Sequence, residues 1–216
     1  MTFEIFKNYN AFIFDLDDTL YPEIDYLKAA FQAISKEFEE KHALKAIEIE
    51  QFLTTTFTEN GRSQLFNQCF NQFFTDEKAQ NTEGVLSEEI CVNNCLNILR
   101  TVKISQKIAL FPYVYRLIPQ LVAEEKQIFV LTNGNPKQQR NKIAHLDWQN
   151  LDAQITFVFA NEFAPKPSPS VFSDFLEPNF HLKTKKTLFI GDAETDAEFS
   201  QNVGFDFLHV DRLTSP

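Results

Sequence analysis

Four short apolar runs in this chain give way to phrases of acidic, basic or hydroxyl residues. Residues 11–14 run into Asp15-Leu16-Asp17-Asp18-Thr19, and residues 128–130 into Leu131-Thr132-Asn133-Gly134. Lys166-Pro167 follows the run 157–160, and Gly191-Asp192-Ala193-Glu194-Thr195-Asp196 follows 188–190. Runs that are apolar on both faces suit strands buried between layers of helix. In an open parallel sheet, ligands bind beyond the carboxyl ends of the strands. The pattern therefore predicts one sheet whose carboxyl rim gathers carboxylates, one ammonium and one hydroxyl. Such a rim can hold a divalent metal and attack a phosphate.

A fifth run, 207–210, completes the set of predicted strands. Helical patterns lie between them. Asn135-Pro136 and Ser168-Pro169 each read as a helix N-cap with proline at the first helical position. Strand alternating with helix predicts an α/β fold with a doubly wound parallel sheet. From Pro22 to about Val102 the alternation stops. Ile24, Leu27, Phe31, Ile34 and Phe38 recur at amphipathic helical spacing. The pattern returns at Leu65–Phe74 and, less cleanly, over 49–57 and 90–99. This predicts an inserted bundle of four helices with its own apolar interior. The expected division is a core of 1–20 with 104–216 and a helical cap of 21–103. Gly134 and Gly191, two of only five glycines, fall inside the phrases, as expected where backbone approaches a ligand.

Charge narrows the function. The net charge is −10 and the pI about 4.9, which excludes a general nucleic-acid binder and docking on anionic membrane. A small anionic substrate stays open, because a bound cation and one lysine reverse the field locally. No apolar run approaches the roughly 20 residues of a membrane span. The N-terminal residues show no basic stretch leading into an apolar core, so a cytoplasmic location is expected. The three cysteines, Cys69, Cys91 and Cys95, form no CxxC pair and read as buried core thiols, Cys91 and Cys95 lying four apart on the helix face that carries Ile98. None of the four histidines joins a motif.

Asp15, Asp17, Asp192 and Asp196 would converge if their strands are neighbours. Four like charges raise one another's pKa, and a hard divalent cation such as Mg²⁺ resolves the repulsion. Phosphoryl transfer needs a nucleophile, a proton donor for the leaving oxygen and neutralisation of equatorial charge. A carboxylate can be the nucleophile. A second acid two positions on can serve as general acid and then as general base. Lys166 supplies positive charge and Thr132 a donor. Asp18 and Thr19 remain open between chemistry and local bracing, and Tyr21 between lining a pocket and packing a hinge.

These phrases, in this order, resemble the haloacid dehalogenase superfamily of hydrolases, in the branch with a helical cap inserted after the first motif. The resemblance covers essentially the whole chain. It implies a Rossmann-like core, with Asp15 as nucleophile, Asp17 as acid/base, Thr132 as the second-motif hydroxyl and Lys166 as the third-motif lysine. It implies a Mg²⁺ site at Asp15, Asp17 (through its backbone carbonyl), Asp192 and Asp196. It implies phosphate contacts at the backbone of Asp17, Asp18 and Asn133. Dehalogenases of the family lack the second aspartate, so the presence of Asp17 implies a phosphatase acting on a small phosphorylated metabolite. Phosphonate hydrolases of the family recruit a cap lysine, but no pattern singles out Lys28, Lys36, Lys41 or Lys45. The phrase from Asp15 to Tyr21-Pro22 is similar to one in pyrimidine 5′-nucleotidase-like members, which points to nucleoside monophosphates. Two alternatives stand: a sugar phosphomutase with the same acids, and a non-catalytic binding protein on the same fold. Oligomeric state is not legible.

Overall fold

The computed structural model describes residues 3–74 and 86–214. The chain divides into two compact units: residues 1–23 with 106–216, and residues 24–105.

The first unit is built on a parallel five-stranded sheet. Its strands are β1 (Ala11–Phe14), β3 (Gln127–Thr132), β5 (Thr156–Phe159), β6 (Thr187–Gly191) and β7 (Asp206–His209), in spatial order β5-β3-β1-β6-β7. These are the five runs read from the sequence. Two-residue strands β2 (Ile108–Ala109) and β4 (Leu146–Asp147) pair separately. They are too short to leave a periodic signal.

Both faces of the sheet are covered. Ala11, Ile13, Phe129, Leu131, Val158 and Phe189 share one apolar cluster with Val171, Leu176, Phe199 and Val203. Their alternates Phe12, Phe14, Ile128, Val130, Leu188 and Ile190 are buried as well. Period-two alternation sends these two sets to opposite faces. Burying each large side chain contributes about 1.5–3 kcal/mol, so strands apolar on both faces are held by helix layers on both sides.

The helices of this unit are α5 (Pro112–Ala123), α6 (Pro136–His145), α7 (Glu177–Phe180), α8 (Glu194–Val203) and α9 (Asp211–Thr214). Asn135 caps α6, its side chain accepting from the N–H groups of Lys137 and Gln138, with Pro136 at the first position as predicted. Ser168 accepts from the Ser170 N–H where the next helical stretch begins. That stretch is π-helical over Phe172–Leu176 before it becomes α7.

The second unit is helical: α1 (Glu23–His42, whose first residue belongs to the sheet unit), α2 (Ala46–Asn60), α3 (Leu65–Phe74) and α4 (Glu88–Thr101). No strand occurs between Pro22 and Val102 among the described residues. Leu27, Phe31, Ile34 and Phe38 of α1 are buried as their spacing predicts, with Leu53, Leu65 and Cys69 from α2 and α3. Phe38 meets Phe74 edge-to-face at 5.1 Å. The Tyr26 hydroxyl donates to the Leu99 carbonyl at 2.6 Å. All three thiols are buried and unlinked. The inward face of α4 is Cys91, Cys95 and Leu99, one residue round from the expected Ile98, which is half-buried. Lys28, Lys36, Lys41 and Lys45 each pair on the surface with an acid of their own segment.

Candidate active site

Register brings the phrases together. Phe14, the last residue of β1, lies opposite Val130 of β3 and Ile190 of β6. The chain therefore leaves the three strands within two residues of one level, β1 first, then β6 and β3. Asp15 follows directly, its N–H donating to the Ile190 carbonyl at 2.9 Å. Asp192 follows Gly191, and Thr132 ends β3. Carboxylate oxygens of Asp15, Asp192 and Asp196 lie within 4.8 Å of one another, a group that could hold a metal ion.

Lys166 is buried among them. Its Nζ donates to Asp15 Oδ1 at 2.5 Å, to Asp196 Oδ1 at 2.6 Å and to the Leu131 carbonyl at 3.0 Å. A buried ammonium is tolerated only when paired and hydrogen-bonded, and here all three of its protons have acceptors. Asn133 fixes the lysine's backbone from the end of β3. Its amide donates to the Lys166 carbonyl at 2.9 Å and accepts from the Lys166 N–H at 2.8 Å. The Lys166–Pro167 bond is cis. Asp196 also accepts from the Ala193 N–H at the start of α8. Gly191 leaves the room for it, since a Cβ there would lie 2.3 Å from Asp196 Oδ2.

Burial sets the charge balance. It pushes the Asp15 carboxyl up to about 7, helped by the charges of Asp196 and Asp17 and opposed by Lys166. Burial also raises Asp192, against a hydrogen bond from Thr19 Oγ1 at 2.9 Å. For Lys166, burial works against the charge, but the carboxylates of Asp15 and Asp196 outweigh it and raise the pKa. Two of the three carboxylates thus pair with the one ammonium, and Asp192 stands beside them. The set of hard oxygen donors carries surplus negative charge, which suits a divalent cation. Burial raises the Tyr113 phenol too, and its hydroxyl donates to the Thr19 carbonyl at 2.6 Å.

The Asp17 carboxylate lies outside the group of three. Oδ1 accepts from the Tyr21 hydroxyl at 2.7 Å, and Oδ2 from Gln139 Nε2 at 3.1 Å and Lys142 Nζ at 2.7 Å. Tyr21 is fully buried and bonded to the motif itself. Asp18 has φ 53°, and its side chain accepts from the Glu23 N–H at 2.9 Å, bracing the start of α1. Thr132 Oγ1 accepts from Gln139 Nε2 at 2.6 Å. The Gly134 N–H donates to Asn161 Oδ1 at 2.7 Å. His209, given no role from sequence, sets Nε2 3.0 Å from the Asp192 carbonyl.

Sequence reading passed over Glu23, Gln139 and Lys142. One signal was present. Helix α6 reads Pro-Lys-Gln-Gln-Arg-Asn-Lys-Ile-Ala-His, with no apolar stripe. A helix beside a sheet must bury something, and here it buries Gln138, Gln139 and Lys142.

Residues 12–210 match the family described as haloacid dehalogenase-like hydrolase, and the chain belongs to that family. Solved structures share its fold at low identity. YfnB from Bacillus subtilis, determined with magnesium bound, is 20% identical with a TM-score of 0.62, covering 96% of this chain and 89% of that one. A HAD-superfamily hydrolase of subfamily IA from Geobacter sulfurreducens is 16% identical with a TM-score of 0.62, covering 93% and 86%. A protein from Haemophilus somnus described as a predicted phosphoglycolate phosphatase is 20% identical with a TM-score of 0.59, covering 93% and 84%. At these identities the likeness establishes the fold alone. A search of curated proteins gives no significant match. No helix among the described residues is long and apolar enough to cross a membrane.

Proposed function

We propose that this chain is a Mg²⁺-dependent phosphomonoester hydrolase that passes its substrate's phosphoryl group through an aspartyl-phosphate on Asp15. The observation that carries the reading is the pair of Asp15 and Asp196 buried around Lys166, with half-buried Asp192 beside them and the second acid, Asp17, two residues from the nucleophile. Asp15 and Asp192, with the Asp17 carbonyl, would hold the ion. Asp196, whose two oxygens accept from Lys166 and Ala193, sits beside them. Bound Mg²⁺ would supply charge neutralisation at the phosphate and favour the ionised form of Asp15.

Asp15 Oδ attacks phosphorus, and the bond from phosphorus to the ester oxygen breaks. Asp17 gives its proton to that oxygen, and its carboxylate then takes one from the water that cleaves the acyl phosphate. Lys166 offsets the charge on Asp15 and Asp196, while Thr132 and the backbone at Asp18 and Asn133 offer donors to the phosphate. The helical unit takes the part of the family's inserted cap.

The substrate is a small phosphorylated metabolite. The sequence from Asp15 to Pro22 favours a nucleoside monophosphate, and the Haemophilus relative's description adds phosphoglycolate to the panel. Phosphate release from p-nitrophenyl phosphate, UMP, CMP, phosphoglycolate and sugar phosphates, with and without Mg²⁺, tests the reading. Mg²⁺-dependent release that vanishes in Asp15→Asn is expected. Release from none of them, or full activity in Asp15→Asn, rejects it.

A further inference from the structure

Lys142 is the one charged side chain of α6 that is wholly buried. Its Nζ donates to Glu23 Oε1 at 2.6 Å and to Asp17 Oδ2 at 2.7 Å. Burying an ammonium is costly unless it is paired, and a single carboxylate would neutralise it. Here two carboxylates converge on it, and one is the second acid of the first motif. Gln139, one helical turn earlier, donates to the same Asp17 oxygen. Tyr21 holds the other oxygen. Glu23 is tied to the motif a second time, its N–H donating to Asp18 Oδ1. The Asp17 carboxylate is thus held at both oxygens, and of Tyr21, Gln139 and Lys142 the lysine is the charged donor.

We infer that Lys142, braced by Glu23, is a positioning residue that sets the pose from which Asp17 exchanges its proton. The inference rests on the hydrolase reading above and extends it to residues that do not touch the phosphate. Without the ammonium, Asp17 Oδ2 loses its charged donor, and Asp17 would turn from its present pose whether or not Glu23 remains beside it as an anion. Proton donation then fails, and its importance depends on the leaving group. A p-nitrophenolate departs without a proton, whereas an alkoxide requires one.

The test compares kcat/KM for p-nitrophenyl phosphate and for an alkyl monoester, glycerol 2-phosphate, in wild type, Lys142→Met and Lys142→Met/Glu23→Gln. This parameter reads the steps up to phosphoenzyme formation and not its hydrolysis. The double variant removes both the cation and its bracing anion, so it keeps a fold that the single variant strains. Both variants should lose about 10²–10³-fold on the alkyl ester and less than about 5-fold on the aryl ester. In metal-free protein, Lys142→Met should melt below wild type, and the added Glu23→Gln should recover most of that loss. Equal losses on the two esters in the double variant, or none on either, overturn the inference while the hydrolase reading stands. Melting of Lys142→Met at the wild-type temperature removes its basis in the buried pairing. If the wild type is inactive on glycerol 2-phosphate, whichever alkyl monoester of the panel above it hydrolyses takes its place; a wild type that releases phosphate from none of them overturns the hydrolase reading and this inference with it.

Discussion

Replacing Gly191 with alanine adds one carbon atom at the end of β6. The added Cβ would lie 2.3 Å from Asp196 Oδ2, 2.7 Å from its Cγ and 2.9 Å from its Cβ. Contacts that short do not survive, and Asp196 cannot yield cheaply because it is the first-turn acid of α8 and wholly buried. Overpacking of this kind costs about 1–3 kcal/mol. If the carboxylate swings away, Lys166 loses one of its two anionic partners, and breaking a buried pair costs about 3–5 kcal/mol. Partial relief of each by the other leaves a net cost of about 3 kcal/mol. For a chain of this length that lowers the melting temperature of the sheet unit by roughly 6–12 °C. Displacement of Lys166 by about 1 Å should also cost about 10²-fold in kcat/KM for p-nitrophenyl phosphate. Differential scanning calorimetry and steady-state kinetics on Gly191→Ala measure both. Gly61→Ala serves as the control: Gly61 has φ +67° with nothing within 4 Å of an added Cβ, so it reads the left-handed backbone cost alone. A Gly191→Ala protein with wild-type melting and turnover would refute the crowding argument.

The remaining expectations can be checked in parallel. The Asp15 carboxyl is raised by burial from its ordinary 3.8 to about 7, so the metal-free folded chain binds more protons than the unfolded chain between those values. The contribution is full below the lower value and lost as pH rises through the upper one. Metal-free wild type should therefore lose ground to Asp15→Asn between about pH 4 and about pH 8 in urea titrations; a gap that stays constant or opens the other way rejects it. Asn133→Asp keeps the acceptor for the Lys166 N–H but cannot donate to the Lys166 carbonyl, and should cost about 1–2 kcal/mol by urea unfolding. Stability equal to wild type would show the bracing to be idle. Burial pushes the Cys69 thiol up to about 12; a hydrogen bond between the Cys91 and Cys95 side chains raises Cys95, with burial behind it, and lowers Cys91. Since all three thiols are buried, a disulfide reagent at neutral pH should modify the native chain far more slowly than the denatured one. Rapid labelling of native protein would contradict that burial.

Much of the candidate site was legible because strand ends are legible. A run such as 128–131 marks a buried strand by itself, and the residues after it must come off the rim. That reasoning reached Asp15, Thr132, Lys166 and Asp192 without a contact in view. It failed for Lys142 and Gln139, because a polar helix reads as exposed unless one asks what it can bury. It failed for Glu23 because nothing in one sequence reveals that a residue at a helix start faces a lysine 119 positions later. The strand pair β2 and β4 escaped for a plainer reason: two residues carry no period. In α4 the spacing of four was read correctly, but Ile98 was placed where Leu99 lies, because residues three and four apart share a helix face about equally well.

The order of the strands has a consequence for synthesis. The central strand β1 emerges first, yet its partners are β3 and β6, separated from it by the whole helical insertion. Lys166 finds its carboxylate 151 positions upstream. The helices, whose contacts are near in sequence, can close early, while β1 keeps two open edges until the ribosome has delivered the rest. A nascent or truncated chain that stops before residue 187 carries every helix of the insertion and still lacks one flank of its first strand. For such a chain the hazard is adhesion to other nascent strands, because β6 and the acids that follow it, Asp192 and Asp196, are still missing.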